Sequence, residues 1–105
     1  MGIIVIVAYK PKHGKEEALD LLMKSHVRRL RNEGLVTDRE SVLMKAKDGT
    51  VVEVFEWKSK EAIESAHSNS EVLEMWKEYS NVCDYIPMSR LEETSELFAE
   101  FSTLQ

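Results

Sequence analysis

The sequence is poor in residues that cross-link a chain, interrupt it or anchor it in a membrane. Cys83 is the only cysteine among 105 residues, so no intrachain disulfide can form, which is typical of a reducing compartment. With two prolines, four glycines and no low-complexity linker, residues 1–105 are expected to form one domain. No apolar run approaches the roughly 20 residues of a membrane helix. No basic region precedes the apolar start, as a signal peptide would require. We therefore expect a cytoplasmic protein without membrane contact.

The chain also lacks a basic excess and any cluster of metal ligands. It carries 14 Lys and Arg residues against 19 Asp and Glu residues, for a formal net charge of -5. Because nucleic-acid affinity depends largely on neutralising phosphates, this balance argues against a nucleic-acid partner. One cysteine and three scattered histidines do not make a metal site, and no glycine-rich phosphate loop is present. We expect neither a metal nor a cofactor.

The first half of the chain predicts a strand, a helix and a hairpin. Residues 3–9 are β-branched or apolar at odd and even positions alike, which predicts a strand buried on both faces. Residues 15–33 place apolar side chains at helical spacing, and Gly34 is the expected end of that helix. Residues 40–47 and 51–57 alternate as strands, and Asp48-Gly49 between them predicts a tight hairpin turn.

The second half predicts two helices and a last strand. Ser59 is a candidate N-cap for a helix through Ser68, and Ser70 for a second helix over residues 71–83. Residues 84–89 are expected to form a loop, residues 90–96 a helical turn, and residues 97–103 the final strand. The order of elements predicts an α+β fold with the ferredoxin-like βαββαβ arrangement, in which both helices cover one face of an antiparallel sheet.

This arrangement leaves the second face of the sheet without a cover. Ile4, Ile6 and Ala8 alternate with Ile3, Val5 and Val7 on the first strand, so apolar side chains project from both faces. Leaving an isoleucine exposed forfeits roughly 1.5–3 kcal/mol of burial energy. A second copy related by a two-fold axis is the simplest cover. We therefore predict a homodimer in which the two sheets face each other.

The stretch EVFEWKSKEAIESAHSNSEVLEMWKEY, residues 53–79, resembles the antibiotic biosynthesis monooxygenase-like superfamily of dimeric α/β-barrel proteins. The shared features are a strand ending in Trp57, the Ala66-His67-Ser68 segment and a helix opening near Ser70. The entry to the first helix at Gly14 and its exit at Gly34 are also similar. The resemblance implies the ferredoxin-like fold and the facing-sheet dimer. The superfamily includes cofactor-free quinone-forming monooxygenases, haem-degrading enzymes and signal-processing proteins.

The haem-degrading branch implies three residues that can be compared with this chain. Its members carry an Asn on the first strand, a Trp at the end of the third and a His on the last long helix. The matching positions here hold Val7, Trp57 and Trp76, so only the Trp is retained. Without a His at position 76, the resemblance does not extend to haem binding in that mode.

Several large or polar side chains are candidates for a pocket between sheet and helices. The pocket-lining candidates are Tyr9, His26, Trp57, Trp76 and Tyr79. Trp76 and Tyr79 share a helical face because they are three residues apart. Plain core packing is the alternative for each of these aromatic residues.

His67 and Glu53 are the catalytic candidates. A histidine titrates near neutral pH and suits a catalytic base, although His67 could instead hydrogen-bond the backbone at the helix break before Ser70. Glu53 and Glu56 lie on opposite faces of one strand, so one of them points inward or towards the dimer partner. An inward carboxylate could carry a proton, or it could form a salt bridge with Lys45 on the neighbouring strand.

These residues leave two classes of function open. The first is a small cofactor-independent monooxygenase acting on an aromatic or apolar small molecule, with His67 or an inward Glu managing protons. The second is a non-catalytic dimeric module that binds a hydrophobic ligand or regulates a partner. The polarity of the cavity beside Trp57 discriminates between them, because a carboxylate or histidine pointing inward favours chemistry.

Overall fold

The computed structural model describes residues 2–104 and contains one open antiparallel sheet with helices packed against it. The sheet order is β4-β1-β3-β2-β5, and every neighbouring pair is antiparallel. The strands are β1 Ile3–Pro11, β2 Val42–Lys45, β3 Val51–Trp57, β4 Cys83–Ile86 and β5 Ser102–Thr103. The helices are α1 Glu16–Met23, α2 His26–Asn32, α3 Lys60–Ala66 and α4 Ser70–Ser80. The predicted α+β class is confirmed. In residues 2–104, no helix combines the length and apolarity needed to cross a membrane.

The helix predicted over residues 15–33 is divided into α1 and α2. In a continuous helix the carbonyl of Leu22 would accept from the backbone N–H of His26. It accepts instead from the backbone N–H of Ser25 at 3.2 Å and from the hydroxyl of Tyr79 at 2.7 Å. The single-helix prediction is therefore wrong at Lys24 and Ser25. The break lets His26 begin a new helix with its side chain buried.

Three of the four turn and capping predictions are confirmed. Gly49 has φ 93° in the turn between β2 and β3, and Gly34 has φ 73° after α2, conformations that favour glycine. The hydroxyl of Ser59 accepts from the backbone N–H of Ala62 at 3.0 Å, as an N-cap does. The predicted N-cap Ser70 is wrong by one residue, because it is the side chain of Asn69 that accepts from the backbone N–H groups of Glu71 and Val72.

The C-terminal part of the sequence prediction is wrong in two places. Helix α4 ends at Ser80, and the predicted loop at residues 84–89 contains most of β4, which pairs with residues Ala8–Pro11 of β1. The strand predicted over residues 97–103 is reduced to β5, Ser102–Thr103, at the edge beside β2. Residues 88–95 form two short 3₁₀ helices, Met88–Arg90 and Glu92–Ser95, where a helical turn was predicted over 90–96.

The odd-numbered residues of β1 and β3 face the four helices. Tyr9, Val51, Phe55 and Trp57 from this face pack with buried helical side chains in the main core. The helical members of that core include Leu19, Met23, Leu30, Val72, Met75 and Tyr79. The functional candidates therefore lie between the helices and the sheet.

The opposite face of the sheet is only partly covered. Leu91 from the C-terminal segment packs with Ala8, Ala46 and Val52 in a second, smaller core. Beyond this segment the apolar side chains remain exposed: Ile4 and Ile6 keep more than half of their surface accessible to solvent. The sequence prediction that strand one projects apolar residues from both faces is confirmed, although a segment of the same chain covers Ala8.

Candidate functional site

A small cavity lies between β1, β3 and the helices, with Trp57 in its wall. We call it the Trp57 cavity. Its volume is about 170 Å³, similar to an apolar cavity that admits one benzene ring. It is lined by Val5, Val7, Tyr9, His26, Phe55, Trp57, Trp76 and Tyr85. Five of these eight side chains are hydrocarbon or indole, so the cavity suits a flat apolar group.

A fully buried carboxylate lies behind the polar end of this cavity. Glu53 has no exposed surface, and its Oε1 accepts a hydrogen bond of 2.8 Å from the hydroxyl of Tyr9. The same oxygen lies 2.8 Å from Nδ1 of His26, which is 3% exposed. Tyr9 and His26 therefore connect the cavity to a negative charge that solvent cannot reach.

The hydrogen bonding of this cluster is incomplete. The contact between His26 Nδ1 and Glu53 Oε1 has the length of a hydrogen bond but not its geometry. Nδ1 and Glu53 Oε2 are therefore buried without a hydrogen-bond partner among the described residues. Buried polar atoms are seldom left unpaired, because each costs about 1–3 kcal/mol.

Aromatic rings hold His26 in place from three sides. Its ring is edge-on to Tyr9, Phe55 and Tyr79, with centroid separations of 6.0, 5.4 and 5.3 Å. Edge-to-face contacts of this kind stabilise one ring orientation, in addition to the stabilisation that comes from burying the ring. The imidazole is thus kept between the cavity and Glu53 by its packing.

His67 lies outside the Trp57 cavity. Its side chain is exposed, its Nδ1 lies 3.0 Å from the carbonyl oxygen of Ile63, and its ring meets the edge of Trp76 at 5.2 Å. The backbone contact fits the alternative in which His67 is a structural residue at the helix break. Its ring contact with Trp76 connects it to the wall of the cavity.

The structure brings together four of the five predicted pocket residues and one catalytic candidate. Tyr9, His26, Trp57 and Trp76 line the cavity, and Glu53 lies behind Tyr9 and His26. Tyr79 is fully buried beside them but does not line the cavity. The alternative salt bridge from Glu53 to Lys45 is wrong, because Lys45 Nζ instead lies 2.7 Å from Asp20 Oδ2.

The other carboxylate of the pair, Glu56, points to the opposite side of the sheet. Its Oε1 accepts from the hydroxyl of Thr37 at 2.8 Å and from Nε of Arg39 at 3.0 Å. These bonds hold the pKa of the Glu56 carboxyl below its usual value, the Thr37 bond having the larger effect. Of the two carboxylates on β3, Glu53 is therefore the one that points towards the helices.

Tyr85 is the main site residue that sequence reasoning missed. It lies on β4 opposite Tyr9, with ring centroids 5.2 Å apart, and about half of its surface is exposed. Its ring and Trp76 also line a neighbouring cleft of about 420 Å³ that continues to Lys12 and Asp84. The sequence signal for this strand is the alternation of Cys83, Asp84, Tyr85 and Ile86 between its two faces. Four residues are too few to show that alternation strongly. Tyr85 thus stands between the cavity and the cleft.

Burial raises the pKa of every tyrosine in the chain. At Tyr9 and Tyr79 burial has the largest effect, and the negative charge of Glu53 adds to it. Burial raises the pKa of Tyr85 to about 12. The three hydroxyls therefore remain protonated in the folded protein at neutral pH and can donate hydrogen bonds.

These shifts predict a loss of stability at alkaline pH. In the unfolded chain the tyrosines lose their protons near pH 10, whereas the folded chain retains them. The folded state then binds more protons, so the free energy of unfolding falls as pH rises above about 10. Urea unfolding at pH 7, 9 and 11, with tyrosinate absorbance recorded, checks this. Tyrosinate should appear together with unfolding. Half-ionised tyrosines near pH 10 in a fully folded protein would contradict the account.

Comparisons with known proteins identify no relative of this chain. The chain matches none of the protein-family models, curated proteins or solved structures with which it was compared. Among residues 2–104, no group of three or more His, Cys, Asp or Glu side chains is placed to hold a metal ion. The candidate site is therefore defined by the cavity and by its Tyr9, His26 and Glu53 cluster.

Proposed function

We propose that this protein is a small oxidoreductase of the cofactor-independent monooxygenase kind, acting on an aromatic hydroxyl compound in the Trp57 cavity. The observation that carries the proposal is the contact of His26 with the buried carboxylate of Glu53 at the wall of an apolar, ring-sized cavity. The resemblance of residues 53–79 to the monooxygenase-like superfamily supports the same reaction class.

The proposed first step is removal of a hydroxyl proton from the substrate. With Nδ1 of His26 directed to Glu53, Nε2 is the nitrogen left to accept that proton. The Glu53 carboxylate would then stabilise the imidazolium, as the acidic member of a catalytic triad does. Such base catalysis contributes about 10²–10⁴-fold to a rate. Trp57 and Trp76 would hold the substrate ring, and Tyr9 would keep Glu53 in place.

The deprotonated ring is electron-rich and can reduce molecular oxygen, which serves as the co-substrate. One oxygen atom enters the ring as a quinone carbonyl. The other leaves as water with the two hydrogens lost by the ring and its hydroxyl group. The ring gives up four electrons and the oxygen molecule accepts four, so the reaction requires no further reductant.

We further propose that the fold is the ferredoxin-like arrangement and that it forms a two-fold dimer through its exposed sheet face. The order β4-β1-β3-β2 and the helices on one face support the first part. For the second, Ile6, Val54 and Val42 are register partners on three adjacent strands and form one apolar row. Ile6 is 55% and Val42 47% exposed, so the row lacks a cover in one copy.

The buried free thiol of Cys83 fits a cytoplasmic location.

The alternative is a non-catalytic module that binds an aromatic ligand, and the mostly apolar lining of the cavity favours it. Oxygen uptake with a panel of aromatic diols separates the two. The proposal expects uptake accompanied by quinone absorbance. Diol binding measured without air, followed by no uptake when air is admitted, would favour the binding module.

The same assay tests which histidine matters. His67→Ala is expected to keep the rate within about twofold, because His67 is exposed and outside the cavity. Oxygen uptake by the variant, normalised to folded protein by circular dichroism, gives the comparison. A loss of tenfold or more, on the scale of a general base, would transfer the catalytic role from His26 to His67.

A further inference from the structure

A second cavity, which shares no lining residue with the Trp57 cavity, lies between the α1–α2 break and β2. We call it the α2–β2 groove. Its volume is about 480 Å³, within the range of small-molecule sites. The buried side chains of Met23, Val27 and Leu43, with the half-buried Leu104, form its apolar floor. A hydrocarbon chain or ring could occupy this floor.

The rim of the groove is basic although the protein as a whole is acidic. Lys24, Arg28 and Arg31 line it, with Glu40 as the one acidic residue in the lining. Arg31 is already engaged, since its guanidinium donates to the backbone carbonyl oxygens of Thr37 and Arg39. Lys24 and Arg28 are exposed and have no ion-pair partner within residues 2–104.

The spacing of these cations makes an anion favourable there. Arg28 and Arg31 are three residues apart on α2, so their like charges lie on one side of that helix, and Lys24, in the break before α2, lines the same groove. A bound anion would relieve this repulsion, and a guanidinium favours a carboxylate because it can donate two parallel hydrogen bonds.

We propose that the α2–β2 groove binds a small amphipathic carboxylate, with its chain or ring on the Met23, Val27 and Leu43 floor and its carboxylate at Lys24 and Arg28. This ligand class combines the two properties that the groove offers, an apolar surface and an unneutralised positive rim. This site does not depend on the reaction proposed for the Trp57 cavity. Either proposal can be disproved without affecting the other.

The test uses octanoate, with octanol as its uncharged match, in calorimetric titrations of the full chain. Octanoate should bind at least about tenfold more tightly than octanol. The double variant Lys24→Gln/Arg28→Gln should lose about tenfold in octanoate affinity and keep its octanol affinity. Arg90→Gln, an exposed cation outside the groove, should leave both affinities unchanged. Both substituted groove residues are exposed, so the fold should persist, which circular dichroism checks.

Amide chemical shifts locate the ligand. Octanoate should shift the backbone amides of Val27, Arg28 and Leu43. Shifts confined to the Trp57 cavity, equal affinities for octanoate and octanol, or no binding at millimolar octanoate would each overturn the proposal. An Arg90→Gln loss as large as that of the double variant would also overturn it, because the effect would then come from overall charge.

Discussion

Replacing Glu53 by Gln is expected to lower the rate of aromatic diol oxidation by about 10²–10⁴-fold, the usual contribution of a general base. The substitution keeps the size of the side chain and an oxygen that can accept from the Tyr9 hydroxyl, so the geometry should change little. It removes the negative charge beside Nδ1 of His26. Without that charge the imidazolium formed by proton transfer is no longer stabilised, and His26 becomes a poor base.

Glu56→Gln is the matched control for this prediction. It makes the same chemical change three residues along β3 from Glu53, on the opposite side of the sheet. Because Glu56 bonds to Thr37 and Arg39 at the surface, its variant should keep the rate within about twofold. Oxygen uptake under saturating substrate measures both variants, and urea unfolding verifies that each is folded. Equal rates for Glu53→Gln and the wild type would remove Glu53 from the reaction.

A charge in the exposed apolar row is expected to prevent dimerisation. Ile6→Glu should weaken self-association by more than about 100-fold, because the two-fold axis would bury two carboxylates without partners. Ile6 is the central choice since its register partner Val54 and the next residue across, Val42, complete the row. Sedimentation over a range of micromolar concentrations measures the effect.

Leu21→Glu provides the control for the dimer. Leu21 is 67% exposed on α1, on the helical side of the molecule, and an acidic residue there should leave self-association unchanged. A wild-type protein that is monomeric throughout the micromolar range would contradict the facing-sheet dimer. So would a dimer that Leu21→Glu disrupts and Ile6→Glu does not.

The sequence predicts the parts of the site that depend on local pattern. Alternation on β3 requires Glu53 and Glu56 to face opposite ways, and the buried stripe of the first helical region includes His26. Tyr9 and Trp57 are large side chains at buried positions of their strands, and Trp76 is a large, partly buried side chain of α4. Their meeting in one cavity follows from the order of strands and helices, which the periodicities indicate.

The pairing of His26 with Glu53 could not be predicted in the same way. It depends on the break between α1 and α2, which is set by Tyr79 bonding to the Leu22 carbonyl oxygen from another helix. Tyr85 was missed for a related reason, since β4 is a four-residue strand formed by pairing with the edge of β1. Contacts between distant segments decide both features, and the pattern within each segment indicates them only weakly.

Oxygen uptake by the cofactor-free protein on a benzene diol, compared with uptake by its cavity-filling variant Val7→Phe, tests the proposed reaction most directly. Val7 lines the Trp57 cavity and carries no polar group, so the larger ring should exclude substrate while the imidazole of His26 and the carboxylate of Glu53 are both retained. The account predicts one oxygen molecule consumed per quinone formed by the wild type, and a loss of at least about tenfold in the variant. No uptake by the wild type across the diols, or an equal rate in Val7→Phe, would contradict it.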